Sequence, residues 1–169
     1  MSPLSGARVL RTLLSAFFLC PLVGLSAPAA KPVAAPLPPI YDTELLGNRE
    51  LKTKVEVGQA TNRRILIDFG TNDCSACRVV NKAIHEPVFF RELVKQFVPV
   101  LIDVTPGTPN AAMLKEYSID AKKGLPAFVL LDVEGNVIEA TTKGEITALA
   151  KNGKEAVQEW LLARFQKTQ

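Results

Sequence analysis

The sequence predicts an α/β domain, a three-layer α/β/α sandwich built around a mixed central sheet. Two observations carry the prediction. Short apolar runs rich in Ile, Val and Phe alternate with stretches whose apolar residues recur every three or four positions, as strands separated by helices do. The last two strands are joined by a tight turn, so antiparallel pairing joins a sheet that starts with a parallel pair.

The elements follow in order. Residues 48–62 read as a helix, limited by Asn62 and the strand behind it. Ile65-Leu66-Ile67-Asp68-Phe69 is a compact β-rich run closed by Gly70, a buried strand. Thr71, Asn72 and Asp73 form a turn-and-cap cluster. Behind it Val79, Val80, Ala83 and Ile84 recur at helical spacing, so a helix starts near Cys74 and bends before Pro87. Phe89, Phe90, Leu93, Val94 and Phe97 continue the same period. A second strand covers 97–104, Pro106 and Pro109 break the chain, and a short helix covers 110–117. Ala127-Phe128-Val129-Leu130-Leu131 is the third strand, and Glu134-Gly135-Asn136 turns the chain into a fourth at 137–141. Asn152 with Glu155 three residues on reads as the start of the final helix. Ala156, Val157, Trp160, Leu161 and Phe165 give that helix its apolar face. From the first strand the order is β-α-β-α-β-β-α.

At 169 residues, 47% hydrophobic and 22% charged, the chain has ordinary globular composition for one domain with appendages. Its net charge of +3 is small, and Arg8 and Arg11 supply part of it from a segment without acids. Nothing in that balance recommends nucleic acid or an acidic membrane as a partner. Residues 1–27 read as an export signal: a positive start, an apolar stretch over 13–25, then the small residues Ser26, Ala27, Ala29 and Ala30. The rival reading, a membrane anchor, needs about 20 apolar residues, and Pro21 and Gly24 interrupt this shorter run. Cys20 follows Leu19, where a lipoprotein signal wants a small residue. Residues 28–47 form a Pro/Ala-rich N-terminal segment, extended or disordered, with prolines at 28, 32, 36, 38 and 39. The globular domain is expected at 48–169, in the periplasm or secreted.

Export makes the cysteines informative. Cys20 leaves with the signal, so the mature chain keeps Cys74 and Cys77 only. A single C-x-x-C in an exported domain is a tool rather than a staple. The pair sits where a strand ends and a helix begins, and the first turn of a helix offers free N–H groups and partial positive charge. A thiol placed there ionises more readily than a free one. Cys74 is the expected nucleophile, and Cys77, one turn deeper, resolves the mixed disulfide. Other uses of two thiols stay open. A zinc site wants four ligands, and beyond the pair only His85 remains, itself expected as a surface or packing residue. The two thiols could also be purely structural, or could carry a soft ion such as Cu(I).

Ile65–Phe69, Cys74-Ser75-Ala76-Cys77, Gly124-Leu125-Pro126 before a strand, and then Gly135 together resemble the thioredoxin superfamily over about residues 48–166. The Phe-rich stretch leading to Val98-Pro99-Val100-Leu101-Ile102-Asp103 is similar to a secreted branch that includes the periplasmic thioredoxin-like domain of DsbD. The resemblance implies a thioredoxin fold, no cofactor, and thiol–disulfide exchange with protein substrates, with a membrane thiol donor as a candidate reductant and a monomer as the working form. It implies a cis peptide before Pro126, whose bland alternative is a turn proline at a strand edge, and substrate pairing along the backbone of Leu125. It also makes Asp68 a buried carboxylate that exchanges a proton with Cys77; the alternative is an exposed Asp at the strand's end. Asp73 departs from the family, which has Trp before the first cysteine. It either caps the helix or disfavours the Cys74 thiolate, with Arg78 and Lys82 in partial compensation. Ser75-Ala76 lacks the Pro-His of strong oxidants, and Ala121-Lys122-Lys123 is extra sequence near the expected substrate path. The missing Pro-His and the acidic Asp73 favour a reductase or electron carrier over an oxidant; a thioredoxin-fold binding module is the main rival.

Overall fold

A computed structural model describes residues 37–165. Its helices are α1 (Gly47–Thr61), α2 (Ser75–Ile84), α3 (Pro87–Gln96), α4 (Met113–Glu116), α5 (Glu145–Lys151) and α6 (Lys154–Phe165). Its strands are β1 (Arg64–Gly70), β2 (Phe97–Asp103), β3 (Ala127–Leu131) and β4 (Val137–Ala140). The strands lie in the order β2-β1-β3-β4. β1 and β2 are parallel, whereas β1–β3 and β3–β4 are antiparallel. This is the mixed sheet expected, with helices on both faces.

Alternation along β1 divides the core. Ile65, Ile67 and Phe69 face one layer with Val100, Ile102, Met113 and Val129, covered by α1 and α4. Leu66 faces the other with Val80, Ala83, Leu93, Phe128 and Leu161, covered by α2, α3, α5 and α6. Asp68, two residues on from Leu66, shares that second face, beside Phe128 on β3. The strand therefore places one carboxylate beneath α2.

α1 ends as its sequence directs. Asn62 takes a left-handed conformation (φ 50°, ψ 46°), and Arg63 N–H closes back on the Gly58 carbonyl. The period shared by α2 and α3 is interrupted rather than bent. α2 stops at His85, and Glu86 starts α3 afresh by accepting from the N–H groups of Val88 and Phe89, with Pro87 in the first turn. The segment 110–117 is a 3₁₀ turn, Pro109–Ala112, followed by the single turn of α4.

Two readings are corrected. Asn152 does not open the last helix; its N–H closes α5 on the Leu149 carbonyl, and α6 begins after Gly153 at φ 101°. α5 itself is an addition to the expected elements, although Ile146, Leu149 and Ala150 have helical spacing.

The folded body also begins ahead of residue 48. Asn110 caps the approach to α1, accepting from Gly47 N–H and donating to the Leu45 carbonyl, each at 2.8 Å. Tyr41 is 1% exposed and lies against Gly70, where an added Cβ would collide with the Tyr41 ring and hydroxyl. An aromatic residue covers its own entropy cost by burial, even in a proline-rich stretch. Residues 1–36, including the expected signal and the first part of the 28–47 segment, lie outside the described residues. A Gly70→Ala variant is expected to lose roughly 1–3 kcal/mol, because the rigid ring must move to admit a methyl group; urea unfolding measures it.

Candidate active site

The chain leaves β1 at Gly70, makes a turn in which the Cys74 N–H donates to the Thr71 carbonyl, and enters α2. Cys74 occupies the N-cap position. Its Sγ accepts from the Cys77 N–H at 3.0 Å, so sulfur stands where a Ser or Asp oxygen commonly caps a helix. Cys74 and Cys77 form a disulfide with their Cα atoms 5.2 Å apart. Their environments differ sharply: Cys77 is 0% exposed, whereas Cys74 is partly open. An incoming sulfur can reach only the first.

Across from the disulfide lies the segment before β3. The Leu125–Pro126 peptide is cis, as the resemblance implies. The Leu125 carbonyl oxygen is 3.2 Å from Cys74 Sγ and accepts from Thr147 Oγ1 at 2.9 Å. Thr147 belongs to α5, and Gly124, at φ 133°, packs directly against it. The additional helix thus braces the loop that faces the disulfide. Between α2 and α5 a shallow groove runs beside Cys74, lined by Ser75, Ala76, Val79, Thr147, Ala150 and Lys151. Thr147 escapes sequence reasoning because no residue-type pattern in 142–151 marks a site.

Asp68 lies 3% exposed on the face of the sheet that α2 covers, and Cys77 is one of the buried residues of α2. Burial pushes its carboxyl up to about 7, while a hydrogen bond from Tyr41 Oη to Oδ1 at 3.1 Å pulls the other way. The exposed-strand-end reading of Asp68 is therefore excluded. A carboxyl pushed up to about 7 on the sheet face that α2 covers can hold or release one proton at little cost. Tyr41 is the second residue that the sequence does not flag.

Other candidates lie elsewhere. Asp73 is exposed and does not cap α2, because Cys74 itself holds that position. Arg78 does not turn toward Asp73; its guanidinium donates to the carbonyls of Pro38 (3.1 Å) and Asn72 (2.8 Å). His85, at the far end of α2, is exposed, with Nδ1 2.9 Å from the Asn81 carbonyl and its ring stacked on Phe90. Ala121-Lys122-Lys123 forms an exposed 3₁₀ turn capped by Asp120. Among the described residues no three His, Cys, Asp or Glu side chains group as metal ligands, and no helix is long and apolar enough to cross a membrane.

Comparison with known proteins agrees with this geometry. No curated protein matches the chain. Among solved structures, a disulphide isomerase from Xylella fastidiosa Temecula1 is 25% identical with a TM-score of 0.70, the match covering 77% of this chain and 99% of that one. The DsbD C-terminal domain of Neisseria meningitidis, in its oxidised form, is 21% identical over 69% of this chain and 94% of that one, with a TM-score of 0.47. A thioredoxin from Thermus thermophilus is 18% identical over 68% and 85%, with a TM-score of 0.46. The model of the family described as thioredoxin-like matches residues 48–133, from α1 through β3. With that match joined to the mixed sheet, the capped C-x-x-C and the cis-proline opposite it, the chain belongs to the thioredoxin-like family.

Proposed function

We propose that the protein is an exported thiol–disulfide oxidoreductase that exchanges disulfides with protein substrates and works as a reductase or electron carrier. One observation carries the reading: a disulfide whose outer sulfur is open at a helix N-terminus and whose inner sulfur is sealed in the core. The likeness to the Xylella disulphide isomerase supports the reaction class.

In the reduced protein the free N–H groups of the first turn of α2 favour the Cys74 thiolate. It attacks one sulfur of a substrate disulfide, forming a mixed disulfide and expelling the other substrate sulfur as thiolate. Cys77 then passes its proton to the Asp68 carboxylate and attacks Cys74 Sγ. The second substrate thiol departs, the Cys74–Cys77 disulfide closes, and two electrons have moved to the substrate. A thiol donor, at a membrane or in solution, returns the pair to the reduced state. Substrate backbone lies along Leu125, whose carbonyl Thr147 already holds; a neighbouring side chain enters the groove between α2 and α5.

The direction rests on Ser75-Ala76, which lacks Pro-His, and on the exposed charge of Asp73 beside Cys74. Both leave the reduced form without special stabilisation. Export rests on residues 1–27. The test is insulin reduction by dithiothreitol with wild type and with Cys74→Ser/Cys77→Ser, joined to equilibration against glutathione. Cysteine-dependent turnover and a potential nearer the roughly −270 mV of thioredoxins than the about −120 mV of strong oxidases are expected. Turnover that ignores the cysteines would favour a binding module, the reading Asp73 most supports. A strongly oxidising potential would reverse the direction alone.

A further inference from the structure

We infer that Tyr41, carried by the segment ahead of α1, is a positioning residue of the redox site: its hydroxyl donates to Asp68 and sets how readily that carboxylate takes the proton of Cys77. The inference rests on the exchange reaction proposed above and adds a residue outside the region that the family model matches.

Three independent observations converge on it. The first is the bond itself, Tyr41 Oη to Asp68 Oδ1 at 3.1 Å, with both side chains buried. The second is that β1 leaves room for the ring. Gly70 lies two residues past Asp68 on the same face, and any side chain there would occupy the place of the Tyr41 hydroxyl.

The third is how the segment is fastened. Asn72 Oδ1 accepts from the N–H groups of Ile40 (2.7 Å) and Tyr41 (3.0 Å), and its Nδ2 donates to the Tyr41 carbonyl (3.0 Å). Arg78 donates to the Pro38 carbonyl and also to the Asn72 carbonyl. Asn72 stands two residues before Cys74, and Arg78 directly follows Cys77. The residues flanking the C-x-x-C are the ones that hold this segment down. A strand of chain kept only for packing would not need to be tied there.

Among the described residues, the surroundings leave Tyr41 as the one group placed to tune Asp68. The buried residues of α2 include one titratable side chain, Cys77, closed in the disulfide. From β2 it is Asp103, beyond Tyr41, whose carboxylate is already engaged by Thr105 N–H (3.2 Å) and Oγ1 (2.9 Å). The residues paired with Asp68, Leu101 on β2 and Phe128 on β3, are uncharged. Burial and the facing carboxylate hold the Tyr41 hydroxyl above its ordinary range, so it stays a donor at any working pH. Donation stabilises the charged carboxylate and offsets part of the penalty of its burial. In the resolving step the phenol therefore keeps a fraction of Asp68 ionised and ready to accept.

The test uses the full chain and Tyr41→Phe, which keeps the ring and removes the donor. With carbon-labelled aspartate, the Asp68 carboxyl is titrated by NMR in the oxidised protein and assigned by its loss in Asp68→Asn. The midpoint is expected to move up by about one pH unit, the equivalent of one hydrogen bond to a charged group. The alkaline shift should recur in the pH profile of mixed-disulfide resolution. A second variant has the opposite sign: 3-fluorotyrosine at position 41, in a Tyr117→Phe background, is a stronger donor and should move both midpoints down. Packing alone predicts no such reversal. An unmoved titration, or a moved titration with an unmoved resolution profile, overturns the inference. Failure of the proposed function shows separately, as absence of cysteine-dependent turnover in the wild type, since the carboxyl titration needs no turnover.

Discussion

Cys77→Ser protein, reduced and mixed with disulfide-bearing protein substrates, is expected to accumulate mixed disulfides through Cys74 and to lose nearly all turnover. The asymmetry of the pair dictates this outcome. Cys74 Sγ caps α2 from a partly open position, whereas Cys77 is sealed in the core, so in the proposed exchange attack on a substrate falls to Cys74 alone. With Ser at 77 no internal thiol can displace the bound substrate, and the adduct waits for an external thiol. The serine hydroxyl is close in size to the thiol, so the site retains its shape. Cys74→Ser should trap nothing, because the remaining thiol has no path to an incoming sulfur. Non-reducing electrophoresis followed by mass spectrometry of the captured partners reads both results. Adducts on Cys77 in the Cys74→Ser protein would reverse the assignment of roles.

The sequence makes the chemistry legible where one residue type has one plausible use. Cys74 and Cys77 sit between a β-rich run and a helical period, and Gly124-Leu125-Pro126 precedes another strand; all three features fall where expected. Asp68 can be placed in a strand from its neighbours, but only the pairing with Phe128 and the cover of α2 show that it is buried. Tyr41 and Thr147 are not legible. Each acts through a single side-chain bond to a residue 27 or 22 positions away, and neither local propensity nor periodicity encodes such a contact. Tyr41 is further hidden by its setting, since a proline-rich stretch reads as a spacer whatever one aromatic residue in it does. The misplaced start at Asn152 has a similar cause. An Asn with Glu three residues on fits a helix start, yet the same Asn closes the preceding helix equally well, and Gly153 decides between them.

Asp68→Asn should separate what the buried carboxylate does in the proposed exchange from what it costs the fold. The carboxyl titrates at about 7 in the folded protein against an ordinary 3.8. Between those values the native state holds a proton that the unfolded chain has released, so stability falls as pH rises. The favourable contribution is complete below about pH 4 and is lost once pH passes 7. Roughly three pH units of that slope amount to about 4 kcal/mol. Urea unfolding of the oxidised wild type should therefore show a decline of that order from about pH 4 to about pH 8. The Asp68→Asn protein should hold level across the same range and be the more stable of the two at its alkaline end. At the acid end the two should lie close together, since an amide and a neutral carboxyl both accept from Tyr41 and both bring a donor to be satisfied. The kinetic consequence runs the other way. Resolution by Cys77 in the wild type should accelerate as pH rises through about 7 and Asp68 becomes free to accept, whereas the Asp68→Asn protein should resolve slowly and without that inflection. A wild type whose stability is flat across that range would show that Asp68 is not held neutral by burial. A variant that gains stability yet resolves at the wild-type rate would remove Asp68 from the reaction and leave it a charge that the core merely tolerates.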